Sequence, residues 1–517
     1  MIVARCAAAV VVVAGLALSP HQALAQPDPE PSPTASAAAP SPSPRPIPTV
    51  KDAVTHHAIV LGGRRIAYTA HAGTILLRDD RGAPTASMFY VAYTADGADA
   101  AKRPVTFFWN GGPGSSTIWL HMGSFGPVRV VVPANGTQPG PVPQLSANES
   151  SLLDTSDLVF VDAVGTGWSA LVARGQAKDY FGIDEDAKAF AHFIEGWASR
   201  NSRWQSPKFL FGESYGTTRA ANVANVLQDD GMAVNGVVLL SSALDYNLLP
   251  IGQGPGEDYL YISYLPTEAA AAWYHHKVPG NPPDFANFIN QVTNFAGTDY
   301  AQALLLGDSL DPAVRSAIVA KLHAYTGLSE AYIRAANLRI SPGRFQQELL
   351  RGEQDTVGRY DARYSGPDLD ANATFPDYDA SDTMTSAAYV AAFNHYARDI
   401  LRYDDERPYD VLDYSVNQDW KYERDDDPSA PSVVADLKAA ITKNPSLYVL
   451  SANGYFDLAT GFYGTHYLLT HMNLTPSQSK RVEFSYFRSG HMVYLNNEAL
   501  IAFKAELGRF YREALGH

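Results

Sequence analysis

The sequence predicts an α/β fold, a central and mostly parallel sheet with helices on both faces and an inserted cap region. Three observations carry this reading. From residue 105 onward, short apolar runs of strand length alternate with stretches of helical periodicity, as parallel strands joined by crossover helices do. Between about 246 and 432 that pattern stops, and sheet-like runs resume after it. A G-x-S-x-G pentapeptide, residues 212–216, falls where one apolar run ends and a helical stretch begins.

The elements follow in chain order. Residues 57–63, 65–79 and 87–94 alternate polar and apolar positions between Gly-Gly, Asp-Asp and Gly turns, which predicts an antiparallel edge. VTFFWN (105–110) and DLVFVDA (157–163) predict buried strands. Residues 184–199 have helical spacing with acids in the first turn, where they complement the helix dipole. KFLFGES (208–214) predicts a strand and 215–229 a helix; GVVLLSSAL (236–244), LYVLSAN (447–453) and VEFSYFR (482–488) predict three more strands. An amphipathic helix over about 497–514 closes the chain. The stretch from 246 to 432 is too long for a connection inside a sheet. We therefore divide the chain into scaffold halves at 51–245 and 433–517 around a cap at 246–432.

With 517 residues, 46% hydrophobic and 18% charged, the chain can bury a large core. A net charge of -15 without a dense Lys/Arg run argues against nucleic acid and membrane surfaces as partners. Residues 1–25 read as a signal peptide: Arg5, an apolar run from Cys6 to Leu18, and Ala23-Leu24-Ala25 at the cleavage site. Cys6 is the only cysteine, so the exported chain is expected to lack disulfides and thiol chemistry. Residues 26–50, rich in Pro, Ala and Ser, predict a solvated linker outside the fold. Asn135, Asn148, Asn372 and Asn473 open Asn-x-Ser/Thr triplets, read as surface positions that matter only in a glycosylating host.

The strand–serine–helix junction specifies the fold further. A serine on a tight turn between strand and helix, flanked by glycines, is the nucleophile elbow of the α/β-hydrolase fold, and Ser214 is the candidate nucleophile. Its hydroxyl needs a base, and in this fold the acid and the histidine follow in that order. Asp457 follows the strand LYVLSAN, and His491 follows VEFSYFR. His491 is the expected base and Asp457 its orienting acid. His466 and His471 lie in a stretch of helical spacing, and Asp436 precedes its strand, so all three are weaker candidates. After VTFF comes Trp109-Asn110-Gly111-Gly112-Pro113-Gly114-Ser115-Ser116. Such a loop brings backbone N–H groups to a developing oxyanion, and the expected donors are those of Gly112 and Tyr215. No lysine stands in phosphate-loop spacing, and no metal-ligand motif or cofactor motif is found.

WNGGPGSS, DAVGTGWS (162–169), GESYG, NGYFD and GHM occur in the order found in serine carboxypeptidases (peptidase family S10). The chain resembles that family from about residue 105 to its end, except in the cap. The resemblance implies release of C-terminal residues from peptides with a free carboxylate, without a cofactor. It implies that Asn110, Gly111 and Glu213 bind that carboxylate. Two carboxyl groups attract each other only if one carries a proton, which raises the glutamate's pKa and favours acid conditions. The chain departs from the family's pattern at Ser124, where many members have Glu, at Ser115, where many have Cys, and at Tyr494, where many have Pro. A serine esterase or acyltransferase on the same scaffold is the alternative, since fold does not fix function. The signal peptide implies a secreted or periplasmic protein.

Overall fold

The central strands are mostly apolar and buried at every position, so both faces of their sheet are covered. The computed structural model describes residues 44–48, 52–132, 143–250, 257–424 and 431–516. The signal peptide with Cys6, the linker apart from 44–48, and Asn135 lie outside the described residues. The sheet runs through β1 (Asp52–Leu61), β2 (Arg64–Arg78), β3 (Pro84–Ala95), β4 (Val105–Trp109), β5 (Asp157–Val161), β6 (Lys208–Glu213), β7 (Gly236–Leu240), β8 (Tyr448–Gly454) and β9 (Val482–Phe487). In space the order is β1-β2-β3-β5-β4-β6-β7-β8-β9. The pairings β1–β2, β2–β3 and β3–β5 are antiparallel, and every pairing from β5 onward is parallel.

The strand order decides where a ligand can sit. The chain leaves β4 for β5 on one side and returns to β6 on the other, so β4 marks the switch point. Loops leaving neighbouring strands in opposite directions open a crevice there, at the carboxyl ends. The Gly-rich loop leaves β4 and Ser214 follows β6, so both border that crevice.

Side-chain alternation sorts the core. Phe107, Trp109, Leu210, Val237 and Leu239 face one way, against helices α1 (Ile183–Arg200), α2 (Tyr215–Asp229) and α3 (Val434–Lys443). Phe108, Phe209, Phe211, Val238 and Leu240 face the other way, against Leu500, Phe503, Leu507 and Phe510 of α4 (Asn497–Ala514). Asn496 caps α4, accepting from the N–H groups of Glu498 and Ala499. A mostly parallel sheet, helices on both faces and a strand–serine–helix junction make this an α/β-hydrolase fold.

Between β7 and α3 the chain builds helices that include Tyr259–Tyr274, Phe285–Phe295, Pro312–Thr326 and Ala380–His395, with a short ribbon of Asp355–Val357 against Ser365–Pro367. Their apolar cluster takes in Phe456 and Leu458, which flank Asp457.

Two expectations are corrected. Asn148 is not a surface residue: it is buried, and its Nδ2 donates to Ser124 O and Gly126 O. A triplet pattern carries no information on burial, whereas an amide that satisfies two buried carbonyls has a packing reason to be inside. The expected linker joins the fold at Arg45, which exchanges backbone hydrogen bonds with Ala173 and donates from Nη1 to Gly175 O.

Candidate active site

Ser214 stands at φ +61° and ψ -130°, between β6 and α2. Such backbone costs roughly 1–3 kcal/mol and persists only where the surroundings hold it. Here Ser214 N donates to Leu240 O at 3.0 Å, and Ser214 O accepts from Thr217 N at 2.9 Å and Thr217 Oγ1 at 2.7 Å. The flanking glycines are set by close approach: a Cβ on Gly212 would lie 2.0 Å from Gly216 O. The turn is therefore tight enough to leave the serine side chain facing a cavity of about 830 Å³.

Asp457 and His491 come from loops after β8 and β9. His491 Nδ1 lies 2.8 Å from Asp457 Oδ2. The carboxylate also accepts from Ala459 N at 2.8 Å, Thr460 N at 2.9 Å and Thr460 Oγ1 at 2.7 Å. Four donors fix its plane, and its charge selects the imidazole tautomer protonated at Nδ1, leaving Nε2 as the acceptor. The histidine backbone is pinned too: its N–H donates to Tyr360 O at 2.6 Å, and its carbonyl accepts from Ser241 Oγ at 2.6 Å. Burial pulls the imidazole pKa down, but the charge and hydrogen bond of Asp457, with Glu213 nearby, hold it above its ordinary value. Ser214 and His491 line the cavity, and Asp457 is buried behind the imidazole.

The Gly-rich loop supplies the facing wall, with Asn110, Gly111 and Gly112 lining the cavity alongside Glu213 and Tyr215. Gly111 packs so closely that a Cβ there would lie 2.4 Å from Tyr215 N. Tyr215 opens α2, so its N–H has no carbonyl a turn earlier in the helix. Asn110 is held on three sides. Its Nδ2 donates to Glu213 Oε1 at 2.8 Å, its Oδ1 accepts from Leu120 N at 2.9 Å, and its carbonyl accepts from Arg219 Nη1 at 2.7 Å. Glu213 is buried, and burial pushes its carboxyl up to about 7, although His491 and the hydrogen bonds from Tyr494 and Asn110 act against that rise. Tyr494 donates its hydroxyl to Glu213 Oε1 at 3.2 Å. Ser124, where the family often has a second acid, instead donates to Leu120 O at 2.5 Å.

Several supporting residues had no signal in the sequence. Thr460 reaches both Asp457 and His491, and Tyr360 comes from the cap. Arg219 is buried, pairs with Asp186 at 2.7 Å and lies over the Phe190 ring, so it ties α2, α1 and the Gly-rich loop together. The weaker candidates lie elsewhere: His466 contacts the Tyr486 hydroxyl, His471 is exposed against Tyr467, and Asp436 is paired with Arg424.

Comparison with known proteins follows the same lines. Residues 67–245 match the serine carboxypeptidase family. Serine carboxypeptidase-like 33 of Arabidopsis thaliana is 31% identical over 151 residues, 28% of this chain and 29% of its own length. The pheromone-processing carboxypeptidase KEX1 of Saccharomyces cerevisiae is 28% identical over 252 residues, 45% of this chain and 32% of its own. The chain thus spans about a third of the length of these relatives. A solved proline iminopeptidase of Mycobacterium smegmatis aligns with 86% of this chain and 98% of its own at 14% identity, with a TM-score of 0.37. Among the described residues, no helix is long and apolar enough to cross a membrane.

Proposed function

We propose that this chain is an exported serine carboxypeptidase that removes C-terminal residues from peptides. The observation that carries the reading is the Asn110–Glu213 pair, joined at 2.8 Å, beside Ser214 and His491 in one cavity. A carboxyl group raised toward neutrality is the partner that a carboxylate ligand needs, and an esterase has no use for one.

In the proposed reaction Asn110, the Gly111 N–H and protonated Glu213 bind the substrate's terminal carboxylate. Ser214 Oγ attacks the last peptide carbonyl as His491 Nε2 takes its proton. The N–H groups of Gly112 and Tyr215 stabilise the oxyanion. The C–N bond then breaks, His491 returns the proton to the leaving amine, and the free amino acid departs. Water, activated by the same imidazole, adds to the acyl-enzyme and releases the shortened peptide with Ser214 restored. Asp457 keeps the tautomer and stabilises the imidazolium. No step requires a metal or cofactor. The division into scaffold halves at 51–245 and 433–517 with a cap at 246–432 is part of the proposal, supported by the direct pairing of β7 with β8 across that gap. Export rests on the sequence of residues 1–25.

The test is hydrolysis of an N-blocked dipeptide against its C-terminal amide from pH 5 to 8, with the wild type and Ser214→Ala. Preference for the free acid that rises as pH falls, and loss of activity in the variant, supports the reading. Equal or better cleavage of the amide contradicts the carboxylate site and favours the esterase or acyltransferase alternative.

A further inference from the structure

One charged group in the cavity has no part in the reaction above. Arg359 lines the wall and is the only lysine or arginine among the described residues to do so. Its backbone is fixed at both ends. The N–H donates to Asp379 Oδ1 at 3.0 Å, and the carbonyl accepts from Leu458 N at 3.0 Å. The next residue, Tyr360, donates its N–H to Asp379 Oδ2 at 3.2 Å and receives the His491 N–H. This short cap segment is therefore wedged against the loops that carry Asp457 and His491.

The guanidinium is held far less firmly than its backbone. It lies 5.3 Å from the centre of the Tyr360 ring, and among the described residues no carboxylate forms an ion pair with it. The acids nearest to it are committed. Asp379 spends both oxygens on backbone N–H groups. Asp457 is filled by Ala459, Thr460 and His491. Asp382, the other acid on the wall besides Glu213, accepts from Ser386 Oγ at 2.5 Å. Much of the remaining wall is apolar or aromatic, including Trp119, Phe375, Leu412 and Met492. An exposed cation on a fixed backbone at the wall of such a cavity gains from an incoming planar anion, which a guanidinium can meet with two parallel hydrogen bonds.

We propose that Arg359 is a specificity-determining residue that binds a second carboxylate of the substrate, the side chain of an aspartate or glutamate next to the scissile bond. This rests on the carboxypeptidase reading, in which the terminal carboxylate is taken by Asn110 and Glu213. The fixed backbone keeps the reach of the guanidinium to one part of the wall, so a single flanking position is affected.

The experiment compares N-blocked dipeptides with Glu or Gln at each of the two flanking positions. The readouts are kcat/KM in the wild type, Arg359→Gln and Arg359→Lys, and binding to the Ser214→Ala protein with and without Arg359→Gln. The expected result is a Glu-over-Gln preference at one position that falls about tenfold or more in Arg359→Gln, is partly kept in Arg359→Lys, and shrinks in the wild type between low and about 0.5 M salt. The ratio cancels any effect of the substitution on Asp457 and His491, and the salt series needs no variant. An unchanged Glu/Gln ratio in Arg359→Gln, or no such preference in the wild type, overturns the proposal while leaving free-acid hydrolysis intact. Loss of the acid-over-amide preference in Arg359→Gln also overturns it, by assigning Arg359 to the terminal carboxylate. Failure of every free-acid substrate in the wild type, with binding also absent, defeats the carboxypeptidase reading itself.

Discussion

On the proposed carboxylate-binding reading, replacing Tyr494 with Phe should move the pH range of free-acid preference toward alkali. The Tyr494 hydroxyl donates to Glu213 Oε1 at 3.2 Å, and that hydrogen bond favours the ionised carboxylate. Phe keeps the buried ring and deletes only the donor. A hydrogen bond to a charged group contributes roughly 1.5–3 kcal/mol, and the length of this one argues for the low end. At 1.36 kcal/mol per unit, the loss raises Glu213 from about 7 by about one unit. The assay is the KM of an N-blocked dipeptide relative to that of its amide, from pH 5 to 9, because the ratio cancels the titration of His491. In the wild type the preference for the acid should fade above about pH 7. In Tyr494→Phe it should fade about one unit later, so near pH 8 the variant binds the acid several-fold more tightly than the wild type does. Structural damage alone would weaken binding at every pH. An unmoved or lowered midpoint would refute the reasoning.

Three further outcomes follow from the same geometry. Glu213 holds its proton more tightly in the folded protein, at about 7 against an ordinary 4.5. Its contribution to stability is therefore full below pH 4.5 and lost as pH rises to about 7, by roughly 3 kcal/mol. Urea unfolding should show this slope in the wild type and a shallower one in Glu213→Gln. Gly212→Ala drives a Cβ to 2.0 Å from Gly216 O, which should cost about 2–4 kcal/mol in denaturant unfolding and abolish turnover by displacing Ser214. Asp457→Asn keeps the volume but removes the charge that selects the His491 tautomer, so kcat should fall by about 10⁴-fold with little change in the melting temperature.

The sheet and the site differ in how far the sequence reveals them. The helix expected at 215–229 is Tyr215–Asp229, and the one at 497–514 is Asn497–Ala514, because periodicity and caps are local signals. The expectations at Ser214, Asp457 and His491 rest on the recognisable strand that each follows and on the order this fold gives such groups along the chain. Tyr360 and Arg359 could not, since they meet the His491 loop across more than a hundred residues of chain. In the sequence Tyr494 is only a departure from a family pattern; its pairing with Glu213 depends on the loop after β9 folding over β6. Asn148 and Arg45 depart from expectation for a related reason, as composition and triplet patterns do not say which backbone groups need a partner.

The most direct test of the account is mass spectrometry of an unmodified peptide incubated with the wild type and with Ser214→Ala. A ladder shortened one residue at a time from the C-terminus is expected with the wild type and not with the variant. Internal fragments, trimming from the N-terminus, or a ladder that persists without Ser214 would contradict it.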